Sequence, residues 1–332
     1  MKKILHLADT KSINVPGGVE TVIRNCLNHP PSGCSGQFVN SCSLKSFTIL
    51  GKSIPSKKKL KNIIKEYSPD VIHLHGSTPF IWRSIQIIKN LKPKIVITPF
   101  FHQPKFTNKP FLSYLNMIIL KMTLAKGVRV HFCSEYERRL FKKIKNFNTF
   151  IFPPFFISEE KSKTHHKSDI LFVGRDDEHK GLDEFVEVSK YFPNENFIAV
   201  TNPRRKINHD SNLTIKSNVS DDELEVVYKK TKILIFPSGY ESFGGVFLEA
   251  LSNGCIVICS NMILGTEFFS KNENLFFYKY SLDKSKNIKE INRILGIIFK
   301  NNTTFKEYND DNKERNSIKV SDHIKSYNSL YS

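Results

Sequence analysis

Two glutamates, Glu241 and Glu249, stand eight positions apart in Pro237-Ser238-Gly239-Tyr240-Glu241-Ser242-Phe243-Gly244-Gly245-Val246-Phe247-Leu248-Glu249-Ala250, with a Gly-Gly step between them. The apolar run after the glycines reads as a helix, so the step marks its start. The free amides of a helix's first turn and its positive dipole end hold anions, and glycine lets a diphosphate come close to the backbone. A carboxylate before the helix and one just inside it then accept hydrogen bonds from hydroxyls on either side of that diphosphate. Such a site suits a nucleotide sugar, with one of the two carboxylates facing the sugar and the other the ribose.

Other residue types point to chemistry less firmly. His73 and His75, two apart in His73-Leu74-His75, share one face of a strand and invite a metal reading, but no third ligand stands at an obvious spacing, so no metal site is expected. The six cysteines, at 26, 34, 42, 133, 255 and 259, form no Cys-x-x-Cys pair and read as reduced thiols, several of them buried. His6 and His131 read as strand residues without a role.

Charge is unevenly divided. Residues 1–155 hold 25 Lys and Arg against 6 Asp and Glu, a balance of +19, while residues 156–332 hold 25 against 26, a balance of −1. The first half is therefore suited to something anionic, a membrane surface or a polyanionic partner, with no nucleic acid expected, or else presents a solvated lysine-rich face. In Ser56 to Tyr67 the lysines surround Leu60, Ile63, Ile64 and Tyr67 at helical spacing, a pattern that serves a membrane surface or core packing equally. The start of the chain lacks a signal-peptide pattern and no run is apolar long enough to span a bilayer, so a cytoplasmic protein is expected, peripheral at the inner face of the cytoplasmic membrane.

These residues need a scaffold, and the 332 residues are enough for two domains, each with a core of its own. Strand-like runs at Lys3–Ala8, Val71–Leu74, Lys94–Thr98 and Val128–Cys133 alternate with helical patterns, including a long one from about Leu112 to Lys126 and another from Ser134. Ile151 to Phe155, with Pro153-Pro154, cannot be helical and reads as a connection. A second β/α series runs from Asp169–Gly174 through Phe197–Thr201 and Ile233–Pro237 to Ile256–Ser260. Two doubly wound α/β domains follow, with ligands beyond the carboxyl ends of the strands. The expected division is 1–155, 156–305, and a helical segment 306–332 packing back on the first domain.

In this setting the chain resembles the retaining glycosyltransferases of family 4, which have the GT-B fold of two Rossmann-like domains facing across a cleft. The resemblance rests on Gly17-Gly18-Val19-Glu20, on Gly174-Arg175 followed by Lys180-Gly181, and on the Glu241 to Glu249 stretch, with Gly254 and Ser260 after it. It spans roughly Ile4 to Glu267. Cys255 stands where the family usually has proline, and Leu264-Gly265-Thr266-Glu267 only approximates its Gly-rich segment.

The resemblance implies that Glu249 holds the ribose hydroxyls and Glu241 the donor sugar. Arg175 and Lys180 would bind the diphosphate and offset the charge growing on the leaving group. Gly17, Gly18, Gly174, Ser242, Phe243, Gly244 and Gly245 would complete the donor site, and His102, past a strand end, would orient the reacting sugar. The catalytic set is thus Glu241, His102, Arg175 and Lys180. The reaction implied is transfer of a sugar from a nucleotide diphosphate sugar to a hydroxyl of a glycan, with retained configuration and no metal or other cofactor. A lipid-linked acceptor in bacterial surface polysaccharide synthesis fits the basic first half. Two alternatives stay open: a nucleotide-sugar epimerase of the same fold, and a non-enzymatic basic binding protein. Donor, acceptor and oligomeric state are not legible.

Overall fold

The computed structural model describes residues 1–14, 17–49, 52–101, 114, 115, 117–119, 122, 128–141, 148–154, 169–300 and 318–332. The chain divides into two compact units, Met1–Phe156 with Ile318–Ser332, and Ile157–Ser317. The expected helix from about Leu112 to Lys126 falls largely outside the described residues.

The first unit is built on β1 (Lys2–Ala8), β2 (Cys34–Asn40), β5 (Val71–His75), β6 (Lys94–Thr98), β7 (Arg129–Phe132) and β8 (Asn148–Ile151), in the order β2-β1-β5-β6-β7-β8 and parallel throughout. An antiparallel hairpin of β3 (Lys45–Ile49) and β4 (Lys52–Pro55) stands apart from it. The helices are α1 (Gly18–Asn28), α2 (Ser41–Leu44), α3 (Lys57–Tyr67), α4 (Pro79–Ile88) and α5 (Glu135–Arg139), with a C-terminal helix, Val320–Tyr331, that returns to this unit. Central parallel strands bury both faces, and alternate residues point to opposite sides. Leu5, Leu7, Ile72, Leu74, Ile97 and Val130 share one core with Leu60 and Ile64 of α3 and Phe80, Ile81 and Ile85 of α4. The residues between them, His6, His73, His75 and His131, belong to the other face, where Tyr331 and Tyr327 of the C-terminal helix reach them.

Helix α3 uses its apolar residues for core packing. Leu60 and Ile64 are buried, whereas Lys57, Lys58, Lys59, Lys61 and Lys65 are exposed. Its apolar stripe packs on the core, with Ile63 and Tyr67 partly exposed, and its solvent face carries these lysines with Asn62 and Glu66. Ile151 closes β8, so the connection begins one residue later than its composition suggests.

In the second unit β9 (Asp169–Val173), β10 (Phe197–Val200), β11 (Leu213–Lys216), β12 (Thr231–Phe236), β13 (Ile256–Ser260) and β14 (Leu275–Tyr278) are parallel in the order β11-β10-β9-β12-β13-β14. Counted from β9 this is the dinucleotide-fold order, 3-2-1-4-5-6. Its helices are α6 (Leu182–Lys190), α7 (Asp221–Lys230), α8 (Gly245–Ser252) and α9 (Lys284–Lys300). The strand order reverses between β9 and β12, and the crevice beyond such a reversal is where open α/β sheets take ligands. The loops that leave the carboxyl ends of these two strands carry Gly174-Arg175 and Pro237 to Gly245.

Candidate functional site

The loop after β9 ends in a single 3-10 turn, Glu178–Lys180, closed by Gly181 at φ 78°, ψ 29°. Gly181 is required there twice over. Its backbone is left-handed, and a Cβ would lie 2.7 Å from Cγ and 3.0 Å from the backbone oxygen of Pro237. The two strand-end loops thus lie directly against each other, and Gly239 N donates to the His179 carbonyl at 2.7 Å. This contact delivers Lys180 to Glu241: the ammonium donates to Oε1 in an ion pair whose side chains are only 16% and 13% exposed. The pairing joins two residues 61 positions apart to which the sequence reading gave separate tasks.

Glu241 is held from the other side as well. Its N–H donates to the Met262 carbonyl at 3.1 Å, and its carbonyl accepts from Leu264 N at 3.1 Å. Gly265 N donates to the Phe243 carbonyl at 3.1 Å, while the Phe243 ring is buried near Phe247 and Phe268. Phe243 therefore serves as the anchor of the loop. Gly244, at φ 93°, ψ 66°, turns the chain into α8 without a side-chain cap, and the first turn of α8 carries no acidic residue. The half-buried Ser242, Gly244 and Gly245 lead to a helix start whose amides are not satisfied by a capping side chain.

Glu249 lies in the second turn of α8, half-buried, on a helix whose Phe247, Leu248, Ala250 and Leu251 are buried. Tyr228 reaches it from α7: its hydroxyl donates to Glu249 Oε2 at 2.8 Å. Helix α7 starts in a capping box, Glu223 N donating to Ser220 Oγ at 3.3 Å and Ser220 N to Glu223 Oε2 at 2.8 Å. Burial first, and then the adjacent Glu249 carboxylate, push the Tyr228 hydroxyl well above its ordinary pKa, so it stays a donor. Tyr228 was missed in the sequence, where nothing but an apolar helical position marks it.

Arg175 is in a different condition. It is 70% exposed and pairs with Asp177 at 3.1 Å, which also accepts from Arg204 at 3.2 Å. Gly174 N continues the sheet by donating to the Val200 carbonyl at 3.1 Å. In the first unit Gly17 caps α1, its carbonyl accepting from Thr21 N at 2.9 Å and Thr21 Oγ1 at 3.0 Å, and Gly18 opens the helix. His102 lies outside the described residues. One concavity of about 550 Å³ opens among Lys61, Lys65 and Lys92, near the amino ends of β5 and β6, and none of these motif residues lines it.

The third partner that sequence spacing did not offer to His73 and His75 is His6. Parallel pairing of β1 with β5 sets His6 in register with His73. The trio is the one group of potential metal ligands found among the described residues, and all three rings are buried.

Comparison with known proteins agrees with this architecture. The family model for glycosyl transferases group 1 matches residues 155–315, and the model for glycosyltransferase family 4 matches residues 26–149. A Klebsiella pneumoniae protein described as an uncharacterized 41.2 kDa protein in the cps region is 29% identical over an alignment of 296 residues that covers 78% of this chain and 81% of that protein. The structure of sucrose-phosphate synthase from Thermosynechococcus elongatus is similar with a TM-score of 0.74 at 15% identity, covering 100% of this chain and 96% of that one. HepE of Anabaena, solved in complex with UDP-glucose, gives a TM-score of 0.72 at 12% identity over 99% and 100% of the two chains. The two parallel-sheet units have the GT-B fold.

Proposed function

We propose, for a chain that belongs to the group 1, family 4 glycosyltransferases, transfer of a sugar from a nucleotide diphosphate sugar to a glycan hydroxyl, with retained configuration, during synthesis of a bacterial surface polysaccharide. The observation that carries the donor half is the start of α8: Gly244 opens it without a side-chain cap, the Lys180–Glu241 pair stands before it, and Glu249, held by Tyr228, stands within it. The diphosphate would lie on the α8 amides with Lys180 turning from Glu241 to a phosphate oxygen, which frees Glu241 for the sugar hydroxyls. Glu249 would accept from the ribose hydroxyls. HepE, solved with UDP-glucose, supports a nucleotide sugar as donor, and the cps-region relative supports a polysaccharide as product.

In the reaction the bond from the anomeric carbon to the phosphate oxygen breaks, the acceptor oxygen bonds to the same face of that carbon, and the acceptor proton goes to the departing phosphate. The nucleoside diphosphate leaves. Lys180, the α8 amides and Arg175, if it exchanges Asp177 for a phosphate, would balance the growing charge, so the step is expected to run without a metal. His102 is proposed to orient the reacting sugar. The acceptor is proposed to be lipid-linked, with the lysine-rich first unit drawn electrostatically to an anionic membrane surface. Among the described residues no helix is long and apolar enough to cross a membrane.

A thermal-shift screen of nucleotide sugars tests the reading, because a bound donor stabilises by mass action. One class of donor is expected to raise the Tm of the wild type, and Glu249→Ala is expected to abolish that rise. No shift with any donor, or a shift indifferent to Glu249→Ala, would overturn it. An epimerase would convert its nucleotide sugar with no acceptor present.

A further inference from the structure

We propose that His6, His73 and His75 bind one divalent transition-metal ion of the imidazole-preferring class, zinc foremost, in a closed structural site beneath the C-terminal helix. The inference is independent of the proposed reaction. One ligand nitrogen from each ring lies within 4.8 Å of the others. His6 Nδ1 and His75 Nε2 are already 3.0 Å apart. Two imidazole nitrogens on one tetrahedral zinc, each at about 2.0–2.1 Å, stand roughly 3.3 Å from each other, so this pair needs only a few tenths of an ångström.

Sheet geometry holds the trio in place. His73 and His75 share a face of β5, and His6 is brought beside them by its register with His73 across the parallel pair. The His73 and His75 ring centroids are 3.9 Å apart. Ligation through Nε2 leaves the proton on the other ring nitrogen, the buried His75 Nδ1, which has no hydrogen-bond partner of its own.

The surroundings resemble a supporting shell. His73 shares hydrogen bonds of 2.8 Å with Tyr331 Oη through Nδ1 and with Thr98 Oγ1 through Nε2. Ligation takes one of these nitrogens and leaves the other to orient the ring. Thr98 is in turn bonded to His131 Nδ1 at 3.0 Å, and His131 Nε2 donates to the Phe152 carbonyl at 2.9 Å. Tyr331 Oη, 2.8 Å from His73 Nδ1, is the oxygen we assign to the fourth position. All three histidines are at most 1% exposed, which suits a structural ion and gives no open position for substrate. Through Tyr331 the ion would fasten the C-terminal helix to the sheet.

The test uses the full chain, stripped with a chelator and titrated with zinc or cobalt ions. Expected are one ion per chain, a tetrahedral cobalt absorption spectrum without thiolate charge-transfer bands, a rise in Tm, and slower amide exchange over residues 320–331. His75→Gln should weaken zinc binding by more than about tenfold, whereas His209→Gln, an exposed ring of the second unit, should keep it. If His75→Gln does not fold, zinc-edge X-ray absorption of the wild type counts the imidazole ligands, and fewer than three overturn the site. Absence of stoichiometric binding, affinity unchanged by a folded His75→Gln variant, or thiolate bands pointing to cysteine would each overturn it, and unchanged exchange in the C-terminal helix would overturn the fastening.

Discussion

Replacing Tyr228 by Phe removes one oxygen and nothing else, which makes it a clean probe of whether Glu249 must be aimed. The hydroxyl donates to Glu249 Oε2 at 2.8 Å, a charge-assisted bond. Bonds of this kind contribute about 1.5–3 kcal/mol net. The ring stays, so no cavity opens, and removing the donor leaves no orphaned N–H or O–H. Glu249 itself is half-buried, so water can replace part of what is lost, and the lower end of the range applies. At 1.4 kcal/mol per tenfold, the nucleoside diphosphate selected by the donor screen should bind about tenfold more weakly to Tyr228→Phe. The assay is calorimetric titration of wild type, Tyr228→Phe, Glu249→Gln and the double variant. If Tyr228 acts through Glu249, the two losses should not add, giving a coupling of ~1 kcal/mol or more. In turnover the donor KM should rise more than kcat falls. Affinity within about twofold of wild type for Tyr228→Phe, with Glu249→Gln still impaired, would refute the positioning role; additive losses would refute the coupling.

Three further outcomes are expected. Lys180→Met leaves a mostly buried Glu241 carboxylate without its ammonium and should lower the urea-unfolding stability of the protein by ~2 kcal/mol, part of which Glu241→Gln should restore in the double variant, while both remain inactive in sugar transfer. Gly244→Ala forces an L-residue into φ 93° with its Cβ 2.9 Å from Ile263 Cγ2, and should cost ~1–2 kcal/mol from the backbone alone and weaken donor binding further, as read by thermal shift with and without donor. Glu137, buried on α5, accepts from Phe101 N at 2.7 Å and Cys133 N at 2.9 Å, and burial raises its carboxyl from 4.5 to about 7. The folded state therefore binds more protons than the unfolded between these values, and stability from this group falls as pH rises through that window. Relative to wild type, Glu137→Gln should gain ~3 kcal/mol between pH about 4.5 and about 7 and change little beyond it, measured by denaturation across pH; a flat difference would place the carboxyl's titration elsewhere.

What could be read in advance follows from burial. Strands β1, β5, β6, β9, β12 and β13 lie inside their sheets and are rich in apolar residues, continuous in Ile233-Leu234-Ile235-Phe236 and broken only by histidines within β5, so the inner strands of both sheets were legible. Strand β2 is Cys-Ser-Gly-Gln-Phe-Val-Asn at a sheet edge, mostly half-exposed, and its pairing with β1 comes from tertiary context that no local pattern encodes. The β3–β4 hairpin escaped notice for the same reason. At the site, Glu241, Gly244 and Glu249 were visible because loop chemistry and glycine backbone demands are local. The Lys180–Glu241 pair, Tyr228 on Glu249 and His6 beside His73 depend on registers and loop packing between residues 61, 21 and 67 positions apart, and those distances are set only when the sheets form.

The return of the chain to its first unit has a consequence for biosynthesis. Translation runs from the amino end, and between Phe156 and Ile318 it must deliver the whole of the second unit. At about 5–20 residues per second that interval lasts ~10–30 s. Throughout it, the face of the first sheet that carries His6, His73, His75 and His131 lacks the C-terminal helix, so Tyr327 and Tyr331 are not yet present to meet these rings. The second unit, contiguous in sequence, can mature first, and the unit begun earliest is completed last.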